Sequence, residues 1–388
     1  MKKIAIFGST GSIGTSLLDI IKKDQKNFNI ELLTANKNYK KLIKQAKTFK
    51  VKNIIITDKT SFSIAKKLLK NSKIKVFLNF LSLKKIFIKK KKIDYAMCSI
   101  SGFQGLKPTL DIIKYTKTVA IANKESIICG WNLIKKDLKK YQTSFIPVDS
   151  EHFSIWSLIN NNKNNIYEKI YITASGGPFR KFSLKKFSNI SIKDALNHPN
   201  WSMGKKISID SATMMNKVFE IIEAKKIFDL KYEQLEILVH PKSYLHAIVK
   251  FNNGLSKLLV HDTNMIIPIF NSIYHNDNKM IKSKKIDIKI LNNLDLNKVD
   301  KKRFPVIKII KKLSEKDSLF ETVIVSANDK LVNLFLDNKI KFTDISKTLL
   351  KISSLKEFSK FKLIIPNNID EINDLADYVS LKIDSMSV

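Results

Sequence analysis

Within its first fourteen residues the chain commits to one kind of sheet. An apolar run, Ile4 to Phe7, passes directly into Gly8-Ser9-Thr10-Gly11-Ser12-Ile13-Gly14, and Leu17, Leu18 and Ile21 follow at helical spacing. A strand that hands over to a helix through three glycines must turn sharply. With no Cβ at its three glycines, the turn lets a pyrophosphate approach the amides of the helix's first turn. The G-x-x-G-x-x-G spacing departs from the commoner G-x-G-x-x-G and gains its force from context, since strand, turn and helix stand in the required order at the head of an alternating series. From Lys2 to Pro147 short apolar runs alternate with amphipathic, lysine-studded stretches. Strands are expected over 4–7, 30–34, 53–57, 95–99, 118–122 and 145–148. Helices between them imply a doubly wound parallel sheet.

The end of the second strand narrows the nucleotide. A domain built for NAD places an Asp or Glu about 20 residues beyond the glycine turn to hold the ribose hydroxyls. This chain has Ala35-Asn36-Lys37-Asn38 instead. A lysine flanked by two amides suits the 2′-phosphate of NADP and leaves NAD short of a partner.

With 388 residues, 44% apolar and 27% charged, there is material for two or three domains. No run of eighteen apolar residues occurs and no basic, apolar leader precedes the first strand, so a cytoplasmic protein without a membrane partner is expected. Cys98 and Cys129 are isolated from each other and from any histidine cluster, which argues against a disulfide framework or a zinc site. The formal charge of +35 raises nucleic-acid binding. Yet of 70 basic residues only Arg180 and Arg303 are arginine, and base edges are read mainly by forked guanidinium groups. The lysines are spread among Asn and Ile, the usage of an AT-rich genome. No nucleic-acid partner is expected, although a positive field would help gather a phosphorylated substrate.

The expected class is α/β: an N-terminal Rossmann-type NADP-binding domain (1–150), a central α+β catalytic domain with a lid loop (151–285), a polar linker (286–303) and a C-terminal helical bundle (304–388). The bundle is read from apolar-periodic segments near 304–313, 321–338, 343–353 and 368–384.

Asp149-Ser150-Glu151 follows the apolar run ending at Val148, just past a strand's carboxyl end, where open α/β sheets place ligands. In an extended segment both acids would point the same way. Oxygen donors without cysteine or a histidine pair favour Mg²⁺ or Mn²⁺ over zinc. A second carboxylate source is the helical stretch Met214 to Ala224, where Asn216 and Glu220 stand four apart and Lys217 three before Glu220, on one face. Ser175-Gly176-Gly177-Pro178-Phe179-Arg180 and Ser208 to Thr213 supply hydroxyls and pliant backbone, the means of holding a phosphate monoester with neutral donors. Between them, Trp201 and Met203 sit in the loop after His198 and need something to cover. A lid closing over a nicotinamide or substrate would be that partner.

Together these stretches resemble one family, 1-deoxy-D-xylulose-5-phosphate reductoisomerase. The resemblance rests on residues 8–14, 122–126, 147–152, 175–180, 198–217, 240–243 and 326–329, in order along the whole chain. It implies that Thr10, Gly11, Ser12, Ile13, Asn36, Lys37, Asn38, Asn123, Glu125 and Gly204 contact NADPH, and that Asp149, Glu151 and Glu220 bind the metal, Mg²⁺ or Mn²⁺, with Co²⁺ a further option. Lys124, Ser150 and Glu151 would address the reacting part of the substrate. Ser175, His198, Ser211, Asn216 and Lys217 would hold its hydroxyl and phosphate end, under a lid of about 195–205 with Trp201 over the ligand. The implied reaction is a metal-dependent rearrangement, by retro-aldol cleavage and re-addition, followed by NADPH reduction to 2-C-methyl-D-erythritol 4-phosphate for isoprenoid synthesis, in a homodimer.

The chain departs from the family at Asn36, where Gly is usual, at Val218, also a usual Gly, and over His261 to Pro268, which lacks the Asp and Arg kept around Met265. Alternatives are another NADPH- and Mg²⁺-dependent reductase or reductoisomerase, for instance on 2-keto acids, and a basic nucleic-acid-binding protein with a degenerate Rossmann core. The first would want arginines for a substrate carboxylate.

Overall fold

The structure, a computed structural model, describes residues 1–87, 91–159, 166–201 and 203–386. It divides into two compact units that do not follow chain order. Unit one comprises residues 1–126, 133–149 and 265–281; unit two comprises 127–132, 150–264 and 282–388.

Unit one is built on seven parallel strands: β1 (Lys2–Phe7), β2 (Phe28–Ala35), β3 (Asn53–Ile56), β4 (Lys75–Phe77), β5 (Ile93–Cys98), β6 (Thr116–Ile121) and β7 (Ser144–Pro147). Their order is β4-β3-β2-β1-β5-β6-β7, every pairing parallel. Strands covered on both faces read as continuous apolar runs. Ile4, Ala5, Ile6 and Phe7 are fully buried, as are Ile54, Ile55 and Ile56. All six expected strands are present. β4, which was not expected, is a three-residue edge strand that stays largely half-exposed, and its apolar residues, Val76 and Phe77, are too few to stand out as a buried strand. Strand order reverses between β1 and β5, the point at which open sheets open a crevice at their carboxyl ends.

The chain returns to unit one over residues 265–281. There Ser272 Oγ lies 2.8 Å from Tyr95 OH, Tyr274 OH donates to Asp24 at 2.9 Å, and Lys2 Nζ donates to Ile273 O at 2.9 Å.

Unit two holds a mixed sheet: β8 (Tyr167–Ala174), β9 (Leu235–Val239), β10 (Leu245–Phe251), β11 (Ser256–Val260) and β12 (Asn297–Lys298), in the order β11-β10-β8-β9-β12. Only β8 and β9 run parallel. Burial along β9 strictly alternates between buried and half-buried residues, as a sheet with one covered face requires. The polar stretch 286–303 supplies β12 and a short helix, Ile288–Asn292, capped by Asp287. Beyond it come a 3₁₀ segment, Pro305–Lys312, and the helices Phe320–Leu336, Phe342–Ile352 and Ile369–Ser385, close to the four periodic segments. Phe342 packs on Phe179, ring centroids 5.1 Å apart, and Arg303 donates to the carbonyls of Phe179 and Phe182. No helix among the described residues is long and apolar enough to cross a membrane. Cys98 and Cys129 are both buried.

Candidate active site

The glycine turn of unit one is braced from behind. Gly8 N donates to Thr34 Oγ1 at 2.9 Å and Ser9 N to Thr34 O at 2.9 Å. Gln45, buried in the helix Tyr39–Thr48, exchanges two hydrogen bonds of 2.9 Å with Ser9. A Cβ on Gly14 would come 2.5 Å from Ser9 Cα and 2.6 Å from Gly8 O, both unyielding backbone, while Gly8 itself has φ +78°. Gly11 caps the helix Ser12–Lys23 without a side-chain bond, so the amides of its first turn face outward. Lys37 is exposed at the end of β2, its carbonyl held by Ser61 Oγ at 3.1 Å. Asn38 caps the next helix through Lys41 N. The side chain of Asn36 is accommodated by a 2.7 Å bond to Thr57 Oγ1. Lys41 was missed in the sequence: its Nζ reaches back to Thr10 O at 3.0 Å and Thr15 Oγ1 at 2.8 Å, laying a cation on the turn. Its position one turn past Lys37 was the available signal.

At the ends of β6 and β7, Asn123 caps the helix Lys124–Tyr141 and donates to Ile100 O and Gly102 O. Lys124 and Glu125 are buried, and Lys124 Nζ stands 3.2 Å from Asp149 Oδ2.

In unit two the acids gather around a lysine. The helix Ser150–Ile159 begins at Ser150, so Glu151 lies in its first turn. The expectation of an extended D-x-E segment is thereby corrected: the strand ends at Pro147 and a helix starts at Ser150, so Glu151 is presented from a helical first turn. Glu151 is met by the helix Met215–Phe228, whose Lys217 Nζ lies 2.5 Å from both Glu151 Oε1 and Glu220 Oε2. Asn216 Nδ2 donates to Glu220, and Ser150 Oγ donates to Glu151 Oε2 at 2.5 Å. Burial disfavours the Lys217 ammonium, but the two carboxylates and their hydrogen bonds outweigh it and hold its pKa above the ordinary value. Glu151 and Glu220 bring ligand oxygens within 4.8 Å of each other. Asp149, two residues before Glu151, is kept nearby by the chain itself. Behind them His152, fully buried, has its Nε2 2.9 Å from Glu220 O.

β8 runs out into Ser175, and a second group forms there. His198 Nδ1 accepts the amides of Asn200 at 3.2 Å and Trp201 at 3.0 Å, so the ring proton sits on Nε2, which donates to Ser175 Oγ at 3.1 Å. Gly177 N also donates to that oxygen, at 3.0 Å. With its lone pairs taken, the Ser175 hydroxyl is left to donate outward. Burial, assisted by the Lys217 charge, pushes the His198 pKa down to about 4, and the ring is neutral. Gly177 abuts the helix Lys205–Thr213, its Cβ position falling 2.9 Å from Ser211 O. Met214, buried at φ 67°, alone ends that helix and starts the one bearing Asn216, Lys217 and Glu220. Val218 is fully buried in it.

The loop between carries Trp201, half-buried, its ring edge-on to His246 at 6.3 Å. His246 in turn stacks on His261 at 3.6 Å, two histidines not expected in the site from the sequence. Asn200 anchors the loop to Pro241 O at 2.7 Å and Ser243 Oγ at 2.9 Å. Gly204 caps the Lys205–Thr213 helix with open space around its Cα. Ser202, within the expected lid, lies outside the described residues.

A parallel sheet with a braced glycine turn at its switch point, in a chain that also carries a carboxylate and lysine cluster, defines an oxidoreductase of the dinucleotide-fold class. Three family models sharpen that class: 1-deoxy-D-xylulose 5-phosphate reductoisomerase over residues 4–130, the C-terminal domain of the same enzyme over 145–228, and the DXP reductoisomerase C-terminal domain over 261–381. The 1-deoxy-D-xylulose 5-phosphate reductoisomerase of Pelagibacter ubique (strain HTCC1062) is 78% identical over 388 residues, covering 100% of both chains. The Zymomonas mobilis enzyme, solved with NADPH, matches with a TM-score of 0.87 at 32% identity over 100% of this chain and 99% of that one. A DOX-P reductoisomerase solved with NADPH, fosmidomycin and magnesium matches at 0.89 and 30% identity, over 99% and 98%. The chain belongs to the 1-deoxy-D-xylulose 5-phosphate reductoisomerase family.

Proposed function

We propose that this chain converts 1-deoxy-D-xylulose 5-phosphate to 2-C-methyl-D-erythritol 4-phosphate, rearranging the carbon skeleton with a divalent metal and reducing the product with NADPH. The observation that carries this reading is the convergence of Glu151, Glu220 and Lys217 in the unit that also aligns Ser175 and His198.

The donors fit a hard ion. Asp149, Glu151 and Glu220 offer only carboxylate oxygens, the ligands of Mg²⁺ and Mn²⁺. When bound, the metal supplies Lewis acidity that favours charge on the substrate's carbonyl and neighbouring hydroxyl oxygens. NADPH supplies the hydride. Residues 1–150, joined by Gly204, hold it, the turn at Thr10, Gly11, Ser12 and Ile13 facing the pyrophosphate, Asn36, Lys37 and Asn38 the 2′-phosphate, and Asn123, Glu125 and Gly204 the nicotinamide half.

Ser175, His198, Ser211, Asn216 and Lys217 hold the substrate's phosphate and hydroxyls. Neutral His198 fixes the direction of the Ser175 hydroxyl, and Lys217 supplies the charge. Lys124 and Ser150 stand by the reacting oxygens, where the Lys124 ammonium holds a proton. Trp201 closes over the ligand and excludes water. A homodimer in the cytoplasm, with Mn²⁺ able to replace Mg²⁺, completes the proposal.

A 2-keto acid substrate is disfavoured because Arg303, one of two arginines, is spent on backbone carbonyls. The test is NADPH oxidation with 1-deoxy-D-xylulose 5-phosphate after chelation, then with Mn²⁺ or Mg²⁺ restored. Activity that depends on the ion is expected; no oxidation with either ion refutes the reading.

A further inference from the structure

The stretch Ser326 to Asp329 lies in the C-terminal helical region, takes no part in the chemistry above, and yet touches the helix that carries Ser211. Asn328 has no exposed surface, and its Nδ2 donates to Asp210 Oδ1 at 2.7 Å across 118 residues of sequence. Asp210 is itself buried and immediately precedes Ser211. One turn earlier, Lys206 Nζ stands 3.7 Å from Asp210 Oδ2 and 2.8 Å from Asp329 Oδ1. Four side chains thus form a polar chain, Asn328 to Asp210 to Lys206 to Asp329, between two helices. The other polar atom of Asn328, Oδ1, has no protein partner, so the bond to Asp210 sets the amide's direction.

A carboxylate buried in mid-helix is costly unless fully bonded, and an apolar pair of the same shape would hold two helices together as well. What the polar pair adds is direction. On its other side the Lys205–Thr213 helix meets Gly177, with no room for even a Cβ against Ser211 O. Contact on one side and a directed bond on the other leave the helix no freedom to roll. A roll of about 20° would carry a side-chain oxygen roughly 1 Å.

We propose that Asn328 is a positioning residue for the phosphate subsite: by holding Asp210 it fixes the roll of the Lys205–Thr213 helix and so the direction of the Ser211 hydroxyl. The inference rests on the reading of Ser211 as a phosphate holder.

The experiment titrates inorganic phosphate, and separately NADPH, into the full chain as wild type, Asn328→Ala, Asn328→Ser, Ser211→Ala and the exchanged pair Asp210→Asn with Asn328→Asp, and records each melting midpoint. Misplacement on the 1 Å scale can cost up to about 10²-fold. The expected result is a phosphate Kd raised about tenfold in both single Asn328 variants, with NADPH affinity shifted less than about twofold, and recovery in the exchanged pair because amide and carboxylate still face each other. The proposal is overturned if phosphate affinity is unchanged in the Asn328 variants. It is equally overturned if NADPH affinity and melting point fall in step with phosphate affinity and the exchanged pair recovers nothing. If Ser211→Ala alone binds phosphate like wild type, the phosphate reading of Ser211 fails and the inference goes with it.

Discussion

The glycine turn of unit one and the acid cluster of unit two are opposite kinds of site. At the turn the useful property is missing atoms: Gly8 and Gly14 leave no room for a methyl, and the groups on offer are backbone amides. In the cluster it is surplus charge, with Glu151 and Glu220 crowded on one lysine. Binding through backbone amides is changed by adding atoms; binding through charge is changed by taking a charge away. That contrast predicts that the first site fails through stability and the second through turnover.

The largest effect belongs to the cluster. Glu220→Gln keeps the shape but removes a ligand charge, and turnover should fall roughly 10³-fold, several kcal/mol of barrier, with little change in melting point. Turnover near wild type at saturating Mn²⁺ would remove Glu220 from the ligand set. Next is Gly14→Ala, whose methyl would press on Ser9 and Gly8 backbone. Denaturant midpoints should show about 3 kcal/mol of destabilisation, whereas Gly204→Ala, with nothing within 4 Å, should show almost none. Equal losses at the two glycines would break the contrast. Lys37→Ala sharpens it, because here a single charge has been added to a backbone site. The NADPH KM should rise about tenfold while the NADH KM stays put; equal shifts would take the 2′-phosphate away from Lys37.

The smallest effect is a pH dependence. His198 has a folded pKa of about 4, below its ordinary 6.5, so the unfolded chain binds more protons between those values. Its contribution to stability is complete above pH 6.5 and is lost as pH falls toward 4. His198→Gln should flatten the fall in denaturation midpoint across that window, and an unchanged slope would mean that the imidazole is not held neutral.

The same contrast decides what could be read in advance. Buried parallel strands are unbroken apolar runs, so six of the seven in unit one were legible, and only the half-exposed β4 was not. Unit two's sheet was legible merely as α+β, because its strands are scattered over a long stretch and β12 is two polar residues, Asn297 and Lys298. Site residues were visible as types. Their pairings were visible only when local: Lys217 with Glu220 lies three apart on a helix, but its bond to Glu151 spans 66 residues. The reach of Lys41 to Thr10 and the ring proton of His198 depend on neighbours brought together by folding, and no spacing rule reports them.

Met214, the lone left-handed residue between the helices Lys205–Thr213 and Met215–Phe228, makes chain length itself a functional quantity. Each residue inserted or deleted there would turn the second helix by about 100° relative to the first. Lys217 and Glu220 would then swing off Glu151 while every side chain in the motif remained unchanged. Across this joint, the count of residues is as much a part of the site as their identity.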